Sequence, residues 1–331
     1  MRKILIIDEE FNQHKIEREI LERELEDIEI IELNYSMEEI LKHREGVIGI
    51  LVQIDFQIDK KFMDQFPALR AISVYGGGYN NIDVKSATAL GIKISRSPNY
   101  CNHEVAEYVI AMILNFAKKL TYLNKRARQG YWGAKAISNI PIDEWSVEEM
   151  DILPQRVHGS TLFIIGYGRI GELVGRKATA LGMRVLYYDP NIPTTGNVEG
   201  KVTLEDGLKR ADFIAITASL NDSSFSLLNS KNISYIKKTA YIINAARGKI
   251  IEESALISAL KEGKLRGAAL DVFSSEPLNI DNPLLNMDRV FVTPHSIYIS
   301  DKSIMDLKYL ATNNLISMLS NGKPEGCVNC Q

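Results

Sequence analysis

The chain has 331 residues, enough for two domains at roughly 100–200 residues each. A hydrophobic fraction of 45% and a charged fraction of 24% belong to a packed globular protein and exclude a disordered, collagen-like or coiled-coil chain. Lys and Arg number 39 against 42 Asp and Glu, a net charge of −3 that gives no general attraction to nucleic acid or an anionic membrane; contact with neither is expected.

The start of the chain is charged and then apolar, as a secretory signal would be. However, Ile4–Ile7 is only four residues long and stops at Asp8-Glu9-Glu10, whereas a signal core needs ~7–15. It reads as a first buried strand. Short Ile- and Val-rich runs then alternate with amphipathic stretches. Lys15–Leu25 carries Ile16, Ile20, Leu21 and Leu25 at helical spacing. Strands are predicted at 28–33, 47–52, 71–74 and 92–94, with helices at 37–42, 62–66 and 84–90 between them. Such alternation implies parallel strands joined by right-handed crossovers.

His103–Arg128 lacks proline and internal glycine and is predicted as one long helix linking two lobes. An irregular, partly acidic stretch follows to Pro154, and a second alternating series begins at Thr161. A closing helix is expected over about 301–319. The apolar excess of Ile110, Met112, Ile113, Leu114 and Phe116 exceeds one narrow stripe, which predicts a widely buried helix between subunits and hence a homodimer. The three cysteines, Cys101, Cys327 and Cys330, are too few for a disulfide framework and suit a reducing cytoplasm. No metal site is expected. His14 and His43 lie in charged helical stretches and should be solvated, as should the charged run Glu17–Asp27.

The sharpest local signal is Gly166-Tyr-Gly168-Arg169-Ile170-Gly171, which follows the apolar strand Leu162–Ile165 and opens a helix. Alone the pattern is weak; in this setting each glycine has a reason. Gly166 permits the tight turn, Gly168 lets backbone approach a pyrophosphate, and Gly171 lets helix and strand pack closely. The helix N-terminus presents unpaired N–H groups to the phosphates. Asp189 ends the next strand, 18 residues beyond Gly171, where a carboxylate binds the adenosine ribose hydroxyls. An acid there favours NAD, because a 2′-phosphate would meet a like charge and Tyr187–Asn191 contains no Arg or Lys to receive it.

Three further strand ends of the second lobe carry chemistry: Asn244-Ala245-Ala246-Arg247-Gly248, Asp271–Pro277 with Glu276, and Thr293-Pro-His295. Ligands in open α/β sheets bind outside the carboxyl ends of the strands, so these segments should converge. Singly, each residue has a structural alternative: Arg247 as a surface residue, Glu276 as a turn cap before Pro277, His295 as a satisfied buried histidine. Together they are the set that reduction of a 2-keto acid needs. A guanidinium grips the carboxylate and polarises the carbonyl. An imidazolium gives the new alcohol its proton, and a carboxylate beside it favours the protonated ring.

These motifs, with Gly76-Gly77-Gly78-Tyr-Asn-Asn-Ile-Asp83 and His103-Glu-Val-Ala-Glu107, give a chain that resembles the D-isomer-specific 2-hydroxyacid dehydrogenase family along nearly its whole length. Ile16-Glu-Arg-Glu-Ile-Leu21, Pro98-Asn-Tyr-Cys101 and His295–Ser300 make it most similar to the C-terminal-binding-protein-like group. The resemblance implies an α/β fold of two Rossmann-like, doubly wound parallel-sheet domains with the active site in the cleft between them. Residues 1–102, completed by 299–331, would form the substrate-binding domain and 103–298 the NAD-binding domain. It implies Arg247, Glu276 and His295 as the catalytic trio. Backbone amides around Tyr75, Gly76 and Gly77 would form a substrate-carboxylate cradle. Arg169 and Ile170 would lie at the pyrophosphate, with Ala245, Ala246 and Asp271 near the nicotinamide. Tyr75, Tyr100 and Tyr298 are the candidates to contact the substituent on C3 of the substrate.

The expected reaction is NAD-dependent interconversion of a small 2-keto acid and a D-2-hydroxy acid. The alternative is an NAD(H)-sensing, corepressor-like interaction protein, which would need the dinucleotide fingerprint but not the trio. Cys327-Val-Asn-Cys330 lacks companion ligands and carries no metal or redox role in this reading.

Overall fold

The computed structural model describes residues 1–11, 13–137, 153–192 and 200–330. The chain forms two compact units, Met1–Cys101 with Ile299–Gln331, and Asn102–Tyr298.

The first unit is built on a five-stranded, wholly parallel sheet of β1 (Arg2–Ile7), β2 (Ile28–Leu33), β3 (Val47–Gln53), β4 (Ala71–Tyr75) and β5 (Lys93–Ser95), in the order β2-β1-β3-β4-β5. Every residue of β3 is buried, which accounts for its unbroken apolar sequence: a central parallel strand is covered on both faces. The helix Ser303–Leu319 returns from the far end of the chain to cover one face. Ser73 Oγ donates to Ala311 O at 2.7 Å, and a Cβ on Gly49 would meet Leu315 Cδ1 at 3.1 Å. The C-terminal segment is tied to β5 by Val328 N donating to Ile94 O and by the Asn329 side chain.

The second unit carries a six-stranded parallel sheet of β6 (Thr161–Ile165), β7 (Arg184–Tyr188), β8 (Phe213–Ile216), β9 (Tyr241–Asn244), β10 (Gly267–Leu270) and β11 (Val290–Val292), in the order β11-β10-β9-β8-β6-β7. The order reverses at β6, the topological switch point at which such sheets bind ligands.

Four expectations are corrected. The predicted helix over 103–128 is two helices, Asn102–Lys118 and Leu120–Arg128, because Lys119 takes left-handed backbone (φ 54°) and breaks the hydrogen-bond ladder. The apolar excess of the first helix serves the unit's own core, where Val109, Met112 and Ile113 are buried. Cys327 and Cys330 are joined by a disulfide. The Glu17–Asp27 run is not wholly solvated, and neither is His14: Glu17 is fully buried and His14 nearly so. Charge periodicity could not reveal this, because Tyr75 and Lys308, the partners of Glu17, come from remote parts of the chain. The irregular stretch expected up to Pro154 falls largely outside the described residues.

Candidate active site

In the second unit, β6 runs directly into Gly166. A Cβ there would lie 2.5 Å from the Ala218 backbone, and one on Gly171 would lie 2.3 Å from Gly166 O, so both positions exclude a side chain. Gly168 differs: a Cβ there would meet nothing within 4 Å, so its backbone faces open space at the N-terminus of the helix Arg169–Ala180. Arg169 is exposed beside it and Ile170 is half-buried. Asp189, at the end of β7, fixes the loop: Oδ2 accepts the Tyr167 amide and Oδ1 the Asn191 amide, both at 2.9 Å. Open backbone, helix N-terminus and carboxylate together suit the pyrophosphate and ribose of a dinucleotide.

The ends of β9, β10 and β11 carry the remaining groups. After β9, Asn244 Oδ1 accepts Ala246 N and its Nδ2 donates to Arg247 O, both at 3.1 Å, a brace that points Arg247 out of the sheet. The Ala246 side chain turns inward and is only 8% exposed, so it packs in the core and reaches no ligand. Ala245 is half-buried.

After β11, His295 takes left-handed backbone (φ 51°), held by its amide on Asp271 O at 2.8 Å. Such strain in a non-glycine residue persists only where the surroundings impose it. His295 Nδ1 lies 2.7 Å from Glu276 Oε2, and the Phe273 amide donates to Glu276 Oε1 at 2.7 Å. The hydrogen bond that His295 donates to Glu276 raises the His295 pKa, against burial and the charge of Arg247. Burial alone would raise Glu276. The His295 and Phe273 hydrogen bonds, aided by the charges of His295 and Arg247, hold it lower instead. The pair is a hydrogen-bonded histidine–carboxylate couple that favours the protonated ring, with the ring 28% exposed and available to a ligand.

Asp271 lies beneath this turn, 1% exposed. Its Oδ1 accepts Ser296 N at 3.0 Å, and Oδ2 has no hydrogen-bond partner. Burial raises its pKa. Sequence reasoning missed Glu253, whose carboxylate binds Ser274 N, Ser274 Oγ and Asn282 Nδ2 and so steadies the loop carrying Glu276. Nothing in its local pattern, Glu252-Glu253 at a helix start, sets it apart from a helix-dipole acid.

In the first unit, not every backbone amide expected around Tyr75, Gly76 and Gly77 is open to a ligand. The Tyr75 ring is 2% exposed and its hydroxyl donates to Glu17 Oε1 at 3.0 Å, so it packs inside the unit and cannot contact a substrate substituent. Gly76 N turns back on Val74 O at 2.9 Å. Among the described residues, the amides of Gly77 and Gly78 have no acceptor, which leaves them available to an anion. Tyr100 is half-buried against the first unit's core, and Tyr298 is half-buried at the end of the second.

The model of the D-isomer-specific 2-hydroxyacid dehydrogenase NAD-binding domain matches residues 110–296, more than half of the chain. The chain is 32% identical over 293 residues to the glyoxylate reductase of Korarchaeum cryptofilum, spanning 87% of this chain and 84% of that protein. Among solved structures, a glyoxylate reductase from Paecilomyes thermophila superposes with a TM-score of 0.83 at 26% identity, covering 99% of this chain and 98% of that one. An NADPH-dependent glyoxylate/hydroxypyruvate reductase from Sinorhizobium meliloti, solved with citrate, gives 0.80 at 27% identity, with 99% and 98% covered. Among the described residues, no helix is long and apolar enough to cross a membrane and no His/Cys/Asp/Glu cluster could hold a metal ion.

Proposed function

Because the chain belongs to the D-isomer-specific 2-hydroxyacid dehydrogenase family, we propose that it interconverts a small 2-keto acid and the corresponding D-2-hydroxy acid. The observation that carries this reading is the 2.7 Å His295–Glu276 couple with the charge of Arg247 beside it. In the direction of reduction, the carbonyl carbon would receive a hydride that bound NADH would supply. Arg247 binds the substrate's carboxylate and carbonyl oxygen and stabilises negative charge on that oxygen. His295, held protonated by Glu276, gives the oxygen its proton. In oxidation the neutral ring takes the proton back. Gly77 and Gly78 offer amides to the carboxylate; Gly166, Gly168, Arg169, Ile170 and Gly171 receive the pyrophosphate, and Asp189 the ribose. Asp271, buried beneath the His295 turn, would lie near the nicotinamide.

The reading is tested with a panel of 2-keto acids, following NADH and NADPH absorbance. Among the described residues, Arg247 is the cation whose charge acts on the His295–Glu276 couple, and no further cation is assigned to a second anion. Glyoxylate, pyruvate or hydroxypyruvate should therefore outrank oxaloacetate and phosphorylated acids. NADH should be preferred, because a 2′-phosphate would crowd Asp189, and Asp189→Ser should narrow the gap. Turnover of none of these acids overturns the reading; equal efficiency with NADPH overturns the role of Asp189.

A homodimer is the second part of the proposal. It is supported by Leu120, Tyr122 and Trp132, which are 54%, 44% and 75% exposed along one stretch. Light scattering at micromolar concentration should give twice the chain mass, and a monomer mass would refute it.

A further inference from the structure

Four ionisable side chains are sealed inside the first unit: Asp8 just beyond β1, His14 and Glu17 at the start of the helix Lys15–Glu24, and Lys308 on the helix Ser303–Leu319. None is more than 9% exposed. Glu17 Oε1 collects them, with Lys308 Nζ at 3.2 Å, His14 Nδ1 at 3.5 Å and the Tyr75 hydroxyl at 3.0 Å. His14 Nε2 lies 3.5 Å from Asp8 Oδ2, and Lys308 Nζ also donates to Gln13 O and sits 5.0 Å above the Phe11 ring. The Phe11 ring meets Tyr75 edge-on, with centroids 6.0 Å apart.

Burying such a cluster is expensive. Each ion loses its hydration, and apolar residues of the same volume commonly give equal or greater stability. Stability is thus a poor reason for it. Its one contact with functional backbone is Tyr75, the last residue of β4, which leads directly into Gly76–Gly78. Burial, and then the charge of Glu17, push the Tyr75 hydroxyl well above its ordinary pKa, so it stays a donor. On either side of Tyr75 the backbone is also held: Ser97 Oγ donates to Val74 O at 2.9 Å, Ser97 N to Gly76 O at 2.7 Å and Arg96 Nη1 to Gly77 O at 3.1 Å. A Cβ on Gly76 would lie 2.7 Å from Ile54 Cγ2, so the turn has no slack.

We propose that Tyr75, clamped through its hydroxyl by Glu17 and Lys308, is a positioning residue that sets the Gly77 and Gly78 amides for the substrate carboxylate. This role rests on the 2-keto acid reading above. Two amides must point at one anion, and an error of a few tenths of an ångström weakens both hydrogen bonds.

The test is Tyr75→Phe, which keeps the ring and removes only the hydroxyl. KM for glyoxylate and Ki for oxamate, an unreactive isostere of pyruvate, should both rise about tenfold, as expected for losing the benefit of one well-placed hydrogen bond to a charged group. The NADH dissociation constant should not move, and kcat should fall much less than KM rises. Glu17→Gln, which keeps an oxygen for the phenol, should raise KM less than Tyr75→Phe does. An unchanged KM and Ki in a Tyr75→Phe protein that has lost thermal stability would show a merely structural role and overturn the proposal. Absence of turnover in the wild type would instead overturn the functional reading, and this role with it.

Discussion

His295→Gln should lower kcat for 2-keto acid reduction by about two or more powers of ten, the scale of a positioned proton donor, while NADH binding stays near wild type. The pH profile carries the finer information. Reduction uses the protonated ring, so it persists while pH lies below the His295 pKa and fails as pH rises through it. Glu276 is the main cause of the raised value. Glu276→Gln should therefore move the alkaline limb to lower pH and cost less activity in acid than in base. Arg247 acts with the opposite sign, since its charge lowers His295. Removing it should move the limb upward. Stopped-flow or steady-state rates from pH 5 to 10 distinguish these outcomes, and superimposable profiles for wild type and Glu276→Gln would mean that the 2.7 Å contact does not set the proton's affinity.

Arg247→Gln should reduce kcat/KM by about a hundred- to ten-thousand-fold. Two charge-assisted hydrogen bonds, to carboxylate and carbonyl, are lost at about 1.5–3 kcal/mol each. Arg247→Lys keeps the charge but not the planar fork, so it should recover only part of the loss. If Arg247→Lys proves equal to wild type, Arg247 acts as a point charge and does not hold the substrate in two places. A loss confined to KM would mean that the guanidinium binds ground state and transition state alike.

The alternation of strand and helix, the two-unit organisation and the Gly166–Asp189 fingerprint were legible in the amino-acid sequence because each rests on local rules. Buried parallel strands are continuous apolar runs, and glycine stands where a Cβ has no room, as at Gly166 against Ala218 and Gly171 against Gly166 O. Arg247, Glu276 and His295 were legible as a set because each follows a strand of one parallel sheet, and parallel strands bring their carboxyl ends to the same edge.

What the sequence could not supply was which atoms face which, and there only tertiary structure decided. Tyr75 stood among the substrate contacts by its nearness to the glycines, yet a strand alternates its side chains, and this one points inward to Glu17, 58 residues away. Glu17 and His14 carry the pattern of a solvated helix face. Their burial depends on Lys308, which arrives on a helix almost 300 positions later, and no local periodicity encodes that meeting. Lys119 could not be singled out as a break, since a lone residue in left-handed backbone has no side-chain signature unless it is glycine or asparagine. The two amides left open at Gly77 and Gly78, where amides around Tyr75, Gly76 and Gly77 were expected, follow from Gly76 folding back on Val74 O. A run of three glycines permits several such turns, and the packing of Ile54 and Ser97 around this one selects among them.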